Sequence, residues 1–103
     1  MAYGKSRKQN VRQQELRERL GDMLKLACVY IKDMGYEPIP KEQFLANYRV
    51  TFAVGNYASE RYFRDFVTLD YFLIHDDKNF LVNPKKLEII KKNYDVEFPQ
   101  PKE

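Results

Sequence analysis

Apolar positions along this chain change their spacing from stretch to stretch, and each change marks an element. From Val11 to Met34 the residues Leu16, Leu20, Met23, Ala27, Tyr30 and Met34 recur at alternating intervals of four and three, one seam along a helix. Between Met23 and Ile31 almost every residue except Lys25 is apolar, so that half is expected to be buried on most sides. Gly21 weakens the helix by about 1 kcal/mol relative to alanine, and Gly35 is a suitable stop. Tyr36 to Pro40 is held extended by its two prolines, and Pro40 can open the next helix without losing a hydrogen bond.

From Lys41 to Ala53 the residues Phe44, Leu45, Tyr48 and Phe52 give a second helix its core face. Tyr48, Val50, Phe52 and Val54 also alternate as a strand would; the run from Glu42 without a breaker favours the helix. Gly55-Asn56 marks a break. Ser59 then offers an N-cap for a third helix over residues 59–72, with Phe63, Phe66, Val67 and Leu73 at helical spacing. Leu73-Ile74-His75 and Phe80-Leu81-Val82 flank Asp76-Asp77-Lys78-Asn79, the composition of a β-hairpin and its turn. Asn83-Pro84 starts a last short helix, Lys85 to Asn93, with Leu87 and Ile90 inward. Residues 95–103, with Pro99 and Pro101, read as a loose tail.

Helix, turn, helix and hairpin in this order, over residues 37–83, resemble the winged helix-turn-helix family of DNA-binding domains. The resemblance implies a mainly α fold with a small β-hairpin wing, an α+β class. Its domain would cover residues 11–94, with Ile39 the inward residue of a short edge strand. It also implies a recognition helix at about 59–72, a wing at 73–82, and a sequence-specific double-stranded DNA-binding protein acting in transcription regulation without enzymatic activity. The small size and the Tyr- and Lys-rich composition are similar to winged-helix regulators of archaea and their viruses or plasmids.

Charge refines this picture. The 103 residues carry a net charge of only +3, yet residues 1–20 hold six basic and two acidic side chains, and the remainder nets −1. Residues 1–10 are polar, basic and aperiodic, and read as a flexible arm. Cys28 is alone, which leaves no disulfide framework and fits a reducing cytoplasm. No apolar run approaches the ~20 residues that span a bilayer, and the basic start lacks an apolar signal core, so no membrane partner is expected.

Candidate chemistry is sparse. His75, the only histidine, adjoins Asp76 and Asp77 in a turn, with no second ligand set or nucleophile at useful spacing. No phosphate-cradling glycine loop exists among four scattered glycines, so no cofactor, metal or catalytic residue is expected. Nucleic-acid contact is the better reading. Tyr57, Ser59, Arg61, Tyr62, Arg64, Asp65 and Thr68 sit on the third helix; Arg61 and Arg64, one turn apart, can fork onto guanine or hold phosphates. Arg49 and Lys78 are candidate phosphate contacts, and Lys5, Arg7, Lys8 and Arg12 a backbone- or minor-groove-tracking tail. The competing readings are a solvated charged face, a protein–protein assembly module, or an RNA or single-strand binder using Tyr57, Tyr62 and the arm. The first helix, about 36 Å long from Val11 to Met34, is apolar around most of its second half. That suggests a homodimer, unless Leu87, Ile90 and Tyr94 fold back to cover it within one chain.

Overall fold

The computed structural model describes the backbone of residues 2–101 and the side chains of residues 12–101. In chain order the elements are α1 (Ala2–Met34), β1 (Ile39–Pro40), α2 (Lys41–Phe52), α3 (Asn56–Thr68), β2 (Phe72–Ile74), β3 (Asn79–Val82), a 3-10 turn (Pro84–Lys86) and α4 (Leu87–Tyr94). The three short strands form one antiparallel sheet in the order β1-β3-β2. The chain is therefore an α+β protein, mainly helical. Among the described residues no helix is long and apolar enough to cross a membrane.

Helix α1 begins at Ala2, not Val11. Its first third has no apolar seam for a sequence reading to detect. Its Lys, Arg and Gln residues are nevertheless good helix formers, which is the physical reason a polar stretch can continue the helix. Helix α2 ends at Ala53, which takes the left-handed conformation (φ 54°) and returns its N–H to the Arg49 carbonyl. The strand alternative for residues 48–54 fails on its own pattern: Val50 is 85 % exposed, whereas Tyr48 is fully buried. Tyr48 and Phe52 instead meet across one helical turn, with ring centroids 5.4 Å apart.

Helix α3 starts three residues before the expected cap. Gly55 is the N-cap, and Ser59, inside the helix, donates its hydroxyl back to the Asn56 carbonyl at 2.9 Å. The helix also stops earlier, at Thr68, because Asp70 turns left-handed (φ 63°) and Tyr71 N–H closes onto the Phe66 carbonyl. Phe72 thereby becomes the first residue of β2. Its partner is Val82, and Leu73 faces Leu81. In the hairpin turn, Asp76 Oδ1 accepts from the backbone N–H groups of Lys78 and Asn79 at 2.8 and 2.9 Å.

The core lies where the sheet meets α2 and α3. Phe80 sits edge-on to Phe44 (5.0 Å) and to Phe63 (4.9 Å), and Phe66 edge-on to Phe72 (5.3 Å). Edge-to-face pairs of this kind contribute about 0.5–1.5 kcal/mol beyond their buried area. Ile39 closes this cluster from β1, paired with Phe80.

Residues 95–99 are part of the fold, where a loose tail was expected. Asp95 turns the chain out of α4 in the left-handed region (φ 57°), after which Val96 and Phe98 are both buried. Cys28 Sγ donates to the Glu97 carbonyl at 3.4 Å, and Tyr36 Oη donates to the Pro99 carbonyl at 2.6 Å. Ile90 of α4 is fully buried, and the Arg17 guanidinium lies over the Tyr94 ring at 6.0 Å. Helix α4 and this strap thus cover part of the apolar side of α1 from within the chain. Cys28 and Ile31 are buried, and Val29 remains bare.

Candidate nucleic-acid interface

The exposed face of α3 is one continuous stripe. Tyr57, Arg61, Arg64 and Thr68 follow at intervals of four, three and four, so they stack on one side of the helix. The opposite side, through Ser59, Phe63 and Phe66, is buried in the core. Tyr57 stands 81 % exposed at the start of the stripe. Arg61 and Arg64 are both exposed, and among the described residues neither has a carboxylate within salt-bridge distance. Thr68 Oγ1 donates to the Arg64 carbonyl at 3.0 Å and keeps its lone pairs free to accept.

Two residues expected on this surface are elsewhere. Ser59 has no exposed surface, because an early start puts it on the core side of α3 rather than at its cap. Tyr62 is half-buried and packs against the core, where its phenol lies near that of Tyr48. Burial pushes the Tyr48 hydroxyl well above the ordinary tyrosine range, and its proton is held by the Arg19 carbonyl at 2.7 Å. Arg49 is half-buried behind α3, with Nη1 3.5 Å from Ser59 Oγ, so it links the two helices at their turn.

The flank of α3 carries a cation that the sequence reading passed over. Lys41, in the first turn of α2, pairs with Glu60 at 3.3 Å and lies 5.0 Å above the Phe63 ring. Its position directly after Pro40, at a helix start beside the hairpin, was the available signal. Its N–H donates to the Lys78 carbonyl at 2.9 Å, which ties the start of α2 to the hairpin tip. Lys78 itself is exposed there beside Asp76 and Asp77. Hydrogen bonds from the Lys78 and Asn79 N–H groups and the Asn79 amide hold the Asp76 carboxyl below its usual range. His75 is exposed, with Nε2 4.0 Å from Asp76 Oδ2.

Comparison with protein-family models, with curated proteins and with solved structures finds no match to this chain.

Arg12 is exposed on α1, and the side chains of Lys5, Arg7 and Lys8 lie outside the described residues. Among the described residues no three His, Cys, Asp or Glu side chains gather as a metal site. What the α3 face offers is a convex rod of about 20 Å carrying two unpaired guanidinium groups, a phenol and a hydroxyl. Such a surface can enter a groove and donate hydrogen bonds.

Proposed function

We propose that the chain is a sequence-specific duplex DNA-binding protein of winged-helix type, a transcription regulator in which α3 is the recognition helix and the β2–β3 hairpin the wing. The observation that carries this reading is the stripe Tyr57–Arg61–Arg64–Thr68, exposed along the whole outer face of α3 while its other face is core. The element order α1-β1-α2-α3-β2-β3, with β1 paired to β3, supports the same reading. In it, Arg61 and Arg64 reach guanine O6 and N7 in the major groove. Lys41 on the flank of α3 and Lys78 at the hairpin tip would then meet phosphates, while Arg49 ties α2 to α3.

The test is fluorescence anisotropy on duplex DNA at several salt concentrations. Neutralising about five phosphates per protomer gives log K falling against log salt with a slope of about −4.5. On a selected site, Arg61→Ala or Arg64→Ala costs about 1–3 kcal/mol and relaxes discrimination. A flat salt response rejects duplex binding in favour of protein assembly. Tighter binding to single strands than to duplex rejects it in favour of a stacking surface built on Tyr57.

A further inference from the structure

One exposed side chain on α3 does not belong to the basic stripe. At 100° per residue, Tyr57, Thr68 and Arg61 fall within about 40° of one another, and Arg64 and Asp65 lie on either side of them. All five are exposed. The outer face is therefore an arc of about 100°, with a guanidinium on one edge and a carboxylate on the other. Asp65 follows Arg61 by four residues, a spacing at which helices pair opposite charges. Even so, among the described residues no cation lies within salt-bridge distance of it. The two edges also border different surroundings. Arg64 is one turn beyond Glu60, which pairs with Lys41. Asp65 lies toward Tyr94 of α4, whose hydroxyl is pushed up by burial and by Tyr71, drawn back by Arg17, and raised further by Asp65.

A bare carboxylate on a helix that enters a groove has few partners. Phosphates repel it, and so do the acceptors that guanine (N7 and O6) and thymine (O4) present in the major groove. The only base donors there are the amino groups, N4 of cytosine and N6 of adenine. Adenine carries its N7 acceptor beside its amino group, so a carboxylate meets less opposition at cytosine. The side-chain lengths suit this arrangement. Aspartate is short and arginine long, so a helix resting on its Asp65 edge keeps Arg61 over the bases while Arg64 still spans the groove from the far edge. An arginine selects by what it attracts. A carboxylate at the same depth selects mainly by what it refuses.

We propose that Asp65 is a specificity-determining residue of the α3 face: it accepts a hydrogen bond from the amino group of a cytosine near the guanine that Arg61 reads, and rejects sites with guanine or thymine there. The inference rests on the duplex-binding reading above and adds to it the class of base required. Arg61 and Asp65 are separated by about 6 Å along the helix, and successive bases by about 3.4 Å, so the cytosine lies within about two pairs of that guanine.

The experiment selects sites from a randomised duplex pool with the full chain, and again with Arg61→Ala and with Asp65→Ala. Anisotropy is then read on duplexes that differ at one pair, with circular dichroism and melting as folding controls. In the unaltered protein, exchanging the cytosine for thymine is expected to weaken binding about 5- to 150-fold, and for adenine by less. Asp65→Ala is expected to lose that preference and to keep the preference for guanine. It is also expected to bind unrelated duplex up to about fivefold tighter, because a charge that repels phosphate is gone. Asp65→Asn, whose amide can fork onto adenine N6 and N7, is expected to move the preference from cytosine to adenine. A site selected by Asp65→Ala that matches the parent's at every pair overturns the proposal. Loss of preference only at the guanine of Arg61 also overturns it, and makes Asp65 a residue that positions Arg61. Absence of duplex binding by the unaltered protein overturns the duplex reading itself, a result distinct from either.

Discussion

Truncating Phe98 to alanine tests whether residues 95–99 are structural. The side chain is only 5 % exposed, and its neighbour Val96 only 4 %. Phe→Ala substitutions in cores cost about 3–5 kcal/mol, and a site at the rim of the fold, which can collapse, belongs at the low end. Against a total stability of about 5–15 kcal/mol for a chain of this length, a loss of about 3 kcal/mol is large. At about 4–8 °C per kcal/mol it lowers the melting temperature by more than 10 °C. Cys28 supplies a local readout, because it is the only cysteine, is 6 % exposed, and donates its thiol to the Glu97 carbonyl. Burial pushes that thiol above its ordinary pKa, while Lys32 pulls it partly back; because its sulfur is buried under the strap, labelling by a disulfide reagent is expected to need the strap to open. At tenfold per 1.4 kcal/mol, Phe98→Ala is expected to speed labelling about 100-fold at fixed pH. If opening is local, the rate is nearly independent of urea at low concentration; if it is global, the rate follows the full unfolding slope. The surface pair Lys91–Glu97 at 3.3 Å serves as control, with Glu97→Ala expected to cost less than about 1 kcal/mol. A Phe98→Ala protein that melts and labels like the parent refutes a docked strap.

Other outcomes are expected from single features. Tyr48→Phe removes the hydrogen bond to the Arg19 carbonyl without changing the packing, and should lower stability by about 0.5–1.5 kcal/mol in urea titrations; no loss would mean that the phenol is not holding α2 to α1. Ala53→Gly relieves a left-handed alanine at the end of α2 and should be neutral or stabilising by up to about 1 kcal/mol, whereas a clear loss in melting temperature contradicts the backbone geometry. The Asp76 carboxyl is held low by the Lys78 and Asn79 N–H groups. Its contribution is therefore present above the ordinary aspartate pKa and disappears as pH falls through the folded value. A titration of Asp76 by NMR should give a midpoint below 3.8, and one at or above 3.8 contradicts the turn.

The elements between Lys41 and Asn93 were legible because each buries a face at its own period: Phe44, Leu45 and Tyr48 on α2, Phe63 and Phe66 on α3, Phe80 and Val82 on β3. The Asp76–Asn79 turn and the Asn83 cap were legible because those side chains bond backbone N–H groups within three residues. Boundaries were less so. Serine caps helices often enough that Ser59 outweighed Gly55, although its hydroxyl serves the preceding turn. That slip of four residues in the cap carried Ser59 onto the reading surface and left Asn56 outside the helix. The strap could not be read at all. Val96 and Phe98 stand between Asp95, Glu97 and Pro99, and two apolar residues give no period to detect. Their burial depends on Cys28 and Tyr36, more than sixty residues earlier. The helical continuation of α1 was hidden for the opposite reason: propensity without a seam leaves no mark in the apolar pattern.

The distance along the chain between strap and α1 also orders events during folding. Cys28 meets Glu97 across 69 residues and Tyr36 meets Pro99 across 63, whereas β2 and β3 close over a four-residue turn and α2 adjoins α3. Closing the larger loop costs more entropy and is repaid only once α1, α4 and the sheet are already in place. The strap is then expected to dock after the rate-limiting step. Weakening it is expected to speed unfolding and leave the folding rate nearly unchanged, so that the lifetime of the native state, more than its rate of formation, rests on residues 95–99.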